Sequence, residues 1–401
     1  MFLIKSLTAL FVLLIIICTA FITESHAYEL SGHATAEGRL FFNDAPYHGQ
    51  ERDSASLAVQ PEFYHEWESG SSFTFTPFGR LDSADSERSH LDVRELHYLW
   101  LHENWELRIG ISKVFWGVTE FVHLVDIINQ TDAVEYLDGE DKLGQPMAYL
   151  SVPLDWGVVD IFLLPYFRER TFPGENGRLR SSVVVNTDEV IYESSAEEYH
   201  TDFAVRYSHT IGDWDFGIYH FNGTAREPAL LLRADSSCNP FFAPYYEQIN
   251  QTGLDVQMVM GSWLFKAETI YRTGQDEDFF AAVEGFEYSF FNISSSGIDL
   301  GLIVEWAYDE REDNATTAFE NDLMIGARLA FNDPESTEAL IGITQDLDSK
   351  GSGFSIESSR RLTDHLKITL DAFMVLDSAE KDTFHQIRDD DNVQIELSYY
   401  F

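Results

Sequence analysis

Between Lys113 and Lys142 the chain carries Glu120, Asp126, Asp132, Glu135, Asp138, Glu140 and Asp141, and no other Lys or Arg. Carboxylates at this density can ligate a divalent cation, work in pairs as acid and base, or create a negative field that gathers counter-ions. A dedicated cation loop alternates its ligands along the chain. Asp138-Gly139-Glu140-Asp141 is instead contiguous and reads as a solvated acidic turn. Acid–base catalysis finds no pattern either. His97, His102, His200, His209, His220, His365 and His385 form no recognisable hydrolase constellation with a serine or carboxylate, and His123, among apolar neighbours, reads as a hydrogen-bonded packing residue. No catalytic residue, metal or cofactor is therefore expected. The counter-ion field remains.

The whole composition points the same way. Asp and Glu number 68 against 26 Lys and Arg, a net charge of −42. No basic patch exists to neutralise phosphates, so nucleic acid is excluded as a partner. A chain so acidic is disordered when apolar residues are few, but 44% of this one is hydrophobic and 14% aromatic. The acid must therefore sit on loops or line a lumen around an apolar scaffold. Asp389-Asp390-Asp391 reads as such a charged loop, with bridging of divalent cations to phosphate groups outside the chain as the alternative.

The scaffold's elements follow from periodicity. Lys5, the apolar stretch Leu7 to Ile22 and Ser25-His26-Ala27 have the layout of a cleaved signal peptide over 1–27; the apolar core is shorter than the ~20 residues a spanning helix needs. One cysteine, Cys238, then remains, which excludes a disulfide framework. Beyond residue 27 apolar residues recur at every second position: Trp105, Leu107, Ile109, Ile111; Leu254, Val256, Met258, Met260; Leu323, Ile325, Ala327, Leu329, Phe331; Leu366, Ile368, Leu370, Ala372, Met374. The pattern predicts eighteen strands, near 30–42, 54–66, 70–81, 90–102, 104–113, 146–154, 156–166, 199–210, 213–223, 245–260, 262–273, 280–292, 297–308, 319–332, 336–347, 352–361, 364–377 and 391–401. Segments of ~9–11 residues cross a bilayer when tilted. Even-numbered links are short, marked by Glu68-Ser69-Gly70, Glu103, Asp155, Gly212, Gly261 and Thr363, while odd-numbered links run long (114–145, 167–198, 224–244). Sorting of loops by parity is a property of transmembrane barrels. Hydrocarbon offers no hydrogen-bond partner, so the sheet must close. The expected fold is all-β: a closed antiparallel transmembrane β-barrel of about 18 strands (16–18) over 28–401, with short periplasmic turns, long extracellular loops and both termini periplasmic. Barrels of ~16–18 strands leave a water-filled lumen. Its expected lining includes Glu106, Arg108, Arg206, Lys266, Glu268, Arg328, Lys367 and Asp371, with Asp160, Asp255, Asp299 and Glu305 on the same polar faces. Tyr98, Trp100, Trp105, Trp214, Trp263 and Trp306 suit interfacial aromatic girdles.

Three resemblances sharpen this picture. The row Val393, Ile395, Leu397, Tyr399, Phe401 resembles the terminal strand of Gram-negative outer-membrane proteins, which implies an assembly signal at Tyr399 and Phe401 read by the barrel-assembly machinery. The segment 114–145 would be the third external loop, which in porins folds into the barrel and narrows it; Lys113, Trp116, Gly117, Asp126, Asn129, Asp132, Glu135, Asp138, Glu140, Asp141 and Lys142 are its expected constriction residues. Trp116-Gly117 followed by Asn129-x-x-Asp132 looks like a pattern in uncharacterised porin-like outer-membrane barrels, distantly akin to exopolysaccharide-export porins. These resemblances imply a channel for passive passage of ions or small hydrophilic solutes, cation-preferring by its charge. They imply surroundings of outer-membrane lipid and lipopolysaccharide, and a homotrimer such as porins commonly form. A non-transporting receptor or adhesin is the alternative, and a barrel hydrolase a more distant one.

Overall fold

The computed structural model describes residues 28–401 except 137, 276, 318, 381 and 382; the expected signal peptide lies outside the described residues. Eighteen strands form one sheet. They are β1 Tyr28–Phe41, β2 Asp53–Glu66, β3 Ser72–Asp82, β4 Leu91–His102, β5 Trp105–Ser112, β6 Gln145–Leu154, β7 Gly157–Leu164, β8 Asp202–Ile211 and β9 Trp214–Thr224. The second half comprises β10 Gln248–Met260, β11 Trp263–Thr273, β12 Phe279–Phe290, β13 Asp299–Asp309, β14 Asn321–Ala330, β15 Glu338–Asp346, β16 Ser352–Thr363, β17 Leu366–Asp377 and β18 Asn392–Tyr400. Every strand pairs antiparallel with its neighbour in sequence, and β18 returns to β1, from His33 opposite Tyr400 to Phe41 opposite Asn392. Closure leaves no edge strand, as a spanning sheet requires.

The two faces separate as the period-two pattern dictates. Leu57, Ile109, Ile218, Ile325, Ile343, Ile395 and Leu397 stand exposed on the outer face. Thr35, Glu37, Arg39, Ser72, Thr74, Arg80, Gln251 and Glu268 are buried within. Trp67, Trp100, Trp156, Trp214 and Trp263 are exposed beside the short turns, where amphipathic rings suit a membrane interface. Trp306 lies toward the opposite rim. Gly70, Gly212 and Gly261 take positive φ (80°, 63° and 64°), which lets the chain reverse in so few residues. Thr363, expected in a turn, closes β16, and the reversal falls on Asp364-His365.

Two strand boundaries differ from expectation. The segment expected at 199–210 begins only at Asp202, after a short 3-10 turn at Glu197–Tyr199. The run expected at 245–260 is two elements. Pro240–Tyr246 belongs to a small separate sheet with Ala229–Ala234 and Ile191–Tyr192, and β10 starts at Gln248. Both pieces are apolar and extended, so period alone could not divide them.

Candidate functional site

The link from β5 to β6, residues 113–144, turns into the barrel. Its apolar residues explain why. Trp116, Val125, Ile127 and Ile128 form one buried cluster with Met147, Phe162, Leu164, Ala204, Tyr219, Phe221, Ile249, Ile270, Phe279 and Ala281, all on β6 to β12. The inner wall of that sector is therefore apolar, where a mostly polar lumen face was expected. In β7, for example, Phe162 and Leu164 face in while Ile161 and Leu163 face out. Burying both surfaces favours loop on wall by roughly 25 cal/mol per Å² of apolar area removed from water.

Polar contacts fix the loop's register. Asn129 closes its base: Val114 N–H donates to its Oδ1 (2.8 Å), and its Nδ2 donates to the carbonyls of Ser112 (2.9 Å) and Leu143 (2.8 Å). Trp116 packs against Phe162 and Tyr219, with the Arg206 guanidinium 5.2 Å from its ring centre. Gly117 has φ +150°, and a Cβ there would stand 3.2 Å from both Glu268 Oε1 and His123 Nδ1. Its lack of a side chain lets the backbone approach Glu268, which accepts from Val118 N–H (2.6 Å), Thr119 N–H (3.1 Å), Thr119 Oγ1 (2.7 Å) and Val125 N–H (3.2 Å). Glu305 likewise accepts from Glu120 N–H (2.7 Å) and Phe121 N–H (3.0 Å). Glu120 in turn pairs with Lys266 (3.5 Å) and with Arg328. The Phe121 ring lies over Gly326 and Gly342, which face each other across β14 and β15; a Cβ at Gly326 would come within 2.8 Å of the ring.

The loop's far part docks on arginines of the opposite sector. Asp132 binds Arg94 Nη2 (2.6 Å) and Thr171 Oγ1 (2.7 Å), with His90 Nε2 at 3.4 Å. Burial opposes ionisation of Asp132, but His90 and Arg94 outweigh it and hold the carboxyl at about 2. Glu135 pairs with Arg80 (2.5 Å), and its carbonyl accepts from Arg39 Nη2 (2.9 Å). Arg80 and Arg88 share Glu37 (2.7 and 2.6 Å). Lys142 pairs with Asp126 (3.1 Å). Removing one partner of a buried pair typically costs about 3–5 kcal/mol, so these contacts lock the loop.

Of the residues expected at a constriction, Trp116, Gly117, Asp126, Asn129, Asp132, Glu135 and Lys142 thus hold the loop in place, and Lys113 is exposed at its base. Asp138, Glu140 and Asp141 are the loop acids exposed to the lumen. Asp138 and Asp141 form no ion pair among the described residues. The surrounding protein, and then Glu135 and Asp138, push the Asp141 carboxyl up to about 7. Of the expected lumen residues, Arg206 pairs bidentately with Asp255 (2.6 and 2.9 Å). Arg108 lies 5.5 Å from the Tyr149 ring centre, Glu106 is half-buried near the β4–β5 turn, and Lys367 sits in a recess at the short-turn rim with Arg361 and Tyr400. Asp371 lies opposite Glu357 across β16 and β17, and Asp160 accepts from Tyr149 Oη (3.1 Å). Asp299 caps a turn at the short-turn rim. Tyr399 is on the outer face, and Phe401 N–H donates to the Gly32 carbonyl (3.1 Å).

Sequence reading missed the cluster of Arg39, Arg80 and Arg88 around Glu37, and Arg94 on Asp132 beside it. Its signal was parity: Glu37, Arg39 and Arg80 all occupy inward positions of their strands. The acidic triplet is also not a plain charged loop. Asp390 is fully buried and binds Arg178 (2.6 Å), while Asp391 accepts from Val375 N–H (2.8 Å).

What the loop leaves open is a cavity of about 450 Å³ on the β14–β17 side. Glu120, His123, Tyr136, Asp138 and Glu140 of the loop line it, facing Thr344, Ser355, Glu357 and Phe373 of the wall.

No protein-family model matches this chain. No curated protein matches it either. Solved structures do. A BenF-like porin from Pseudomonas fluorescens Pf-5 is similar over 94% of this chain and 98% of its own, at 8% identity and TM-score 0.53. Pseudomonas putida OprB, in a high-pH structure, is similar over 94% of both chains at 9% identity and TM-score 0.48. A mutant of the Rh. blastica porin covers 93% of this chain and 100% of its own, at 10% identity and TM-score 0.45. None of the three is described as an exopolysaccharide-export porin. The likeness to the BenF-like porin extends over nearly the whole of both chains, and what it shows is the fold: a porin-type transmembrane β-barrel.

Proposed function

We propose that this chain is a Gram-negative outer-membrane channel for passive passage of ions and small hydrophilic solutes, that it prefers cations, and that the loop 113–144 is its constriction. One observation carries the reading: the loop is bonded to the inner wall on several sides and leaves a cavity beside exposed Asp138 and Glu140, with Glu357 opposite. Charges at a low-dielectric opening concentrate counter-ions and repel co-ions. Asp126, Asp132 and Glu135 contribute little to that field, because Lys142, Arg94 and Arg80 neutralise them. The field belongs to Asp138, Glu140 and Asp141 of the loop together with Glu357 and Asp371 of the wall. Within this reading residues 1–27 direct export, both termini are periplasmic, and lipopolysaccharide and lipid surround the outer face. The barrel-assembly machinery inserts the chain, and the assembled form is a homotrimer.

The test is the reversal potential of the purified protein in a planar bilayer under a KCl gradient. Cation preference is expected, falling in the variant Asp138→Asn, Glu140→Gln, Asp141→Asn. The fall should be larger at 0.1 M salt than at 1 M, as the Debye length shrinks from ~10 Å to ~3 Å. Anion preference in the wild type refutes the charge argument. A barrel that folds but never conducts supports the receptor alternative instead.

A further inference from the structure

Resting on the channel reading above, the lining of the passage points to a substrate class. Its carboxylates share the space with aromatic rings. Phe121 comes from the loop, Phe373 from β17, Phe319 from the β13–β14 link and Phe384 from the β17–β18 link. Phe384 contacts both Phe319 (centroids 6.0 Å apart) and Phe373 (5.9 Å), so three rings form a continuous apolar strip. Leu179, Leu230 and Leu340 extend that surface. Of the cationic side chains nearby, Arg180 is held by backbone carbonyls and keeps its charge, and Arg328 is paired with a carboxylate. Arg180 donates to the carbonyls of Ser181 (2.7 Å) and Glu175 (2.7 Å) and lies over the Tyr47 ring, while Arg328 is bound to Glu120. Glu357 and Asp371, adjacent on β16 and β17, form no ion pair among the described residues.

A passage meant for hydrated inorganic ions gains nothing from a wall of phenyl rings, because apolar surface cannot replace lost hydration. An organic cation with an apolar body fits both halves of the lining. Its body covers the Phe319–Phe384–Phe373 strip, and its ammonium group stays wet beside Asp138 and Glu357, with ring faces adding cation–π attraction. A cavity of about 450 Å³ admits such a solute. An aromatic carboxylate of the same shape meets like charge and is rejected. We propose that the passage is a selectivity site for organic ammonium ions carrying an aromatic or bulky apolar group.

The test uses the folded full chain in a planar bilayer, with potassium current as the readout and three probes. Phenethylammonium is expected to occupy the passage and block the current at a concentration at least tenfold lower than ethylammonium, which has the charge without the ring. Phenylpropionate, which has the ring with the opposite charge, is expected to leave the current unchanged. Phe373→Leu and, independently, Phe384→Leu should each narrow the phenethylammonium-to-ethylammonium ratio at least threefold. Glu357→Gln should weaken both amines together. Equal potency of the two amines, or stronger block by phenylpropionate, overturns the substrate class while leaving the channel intact. Absence of any potassium current from the folded barrel overturns the channel reading and this inference with it.

Discussion

Asp141 is the residue whose chemistry is most open to experiment. It carries no ion pair among the described residues, lies inside the barrel, and has its carboxyl raised to about 7 by surrounding protein and by Glu135, Asp138 and Asp132, against the opposing pull of Arg94. A raised carboxyl pKa means that the proton is held to higher pH, so the negative charge is present above about 7 and lost below it. Cation preference should therefore drop between pH 8 and pH 6, well above the range where ordinary carboxylates titrate. Asp141→Asn should shrink this upper step. Reversal potentials measured from pH 9 to pH 3 check this; a flat profile between 8 and 6 in the wild type would place Asp141 outside the conducting path. The acids of this loop were legible in the sequence, but their division of labour was not. Asp132 is anchored by Arg94 on β4 and Glu135 by Arg80 on β3, and those partners meet only because the loop crosses the lumen. The same holds for Asn129. Its spacing to Asp132 marked it, yet its partners are backbone groups of Ser112, Val114 and Leu143, which no side-chain pattern announces.

At the scale of elements, the outer faces were readable because lipid demands apolar residues at every second position, and all eighteen expected strands are present. The inner face was less readable, since two quite different environments occupy it. Where the loop docks, inward residues such as Phe162, Phe221 and Ile270 are apolar, so alternation disappears there; where water enters, it persists. Strand β14 offers a clean contrast between the faces. Ile325 is exposed outward at mid-strand, between Val304 on β13 and Ile343 on β15, whereas Arg328 points inward to Glu120 and Glu287. Ile325→Arg should cost roughly 2–4 kcal/mol if its height is near the bilayer midplane. Arg328→Ala should leave barrel stability close to wild type, because this surface-like pair is partly exposed and weakly stabilising. Urea titrations of the folded protein in lipid give both numbers, and equal destabilisation would show that the register of this strand is misassigned.

Over the whole molecule, the excess of 68 acidic over 26 basic residues becomes intelligible once the arginines are located. Arg39, Arg80, Arg88, Arg94, Arg178, Arg206 and Arg226 are all engaged with carboxylates inside or above the barrel. The basic residues go largely to holding loops in place, and unpaired acid is what meets the water. Closure is the other property of the whole, and it can be separated from assembly. The seam between β1 and β18 runs from His33–Tyr400 to Phe41–Asn392, and Phe401 adds one further rung through its N–H to the Gly32 carbonyl. Gly32 stays small because a Cβ there would strike the Gln60 carbonyl at 2.5 Å and the Phe401 ring at 3.1 Å. One rung among eighteen paired strands contributes little to a finished barrel, a single hydrogen bond being worth about 0.5–1.5 kcal/mol net. Deleting Phe401 should accordingly leave refolding of purified protein into lipid vesicles nearly unchanged. If the aromatic row ending in Phe401 is instead read by the insertion machinery, the same deletion should sharply reduce the folded, heat-modifiable band in outer membranes of intact cells. The comparison of the two yields decides the role: a loss in cells alone supports a signal, an equal loss in both makes Phe401 structural, and no loss in either removes it from assembly altogether.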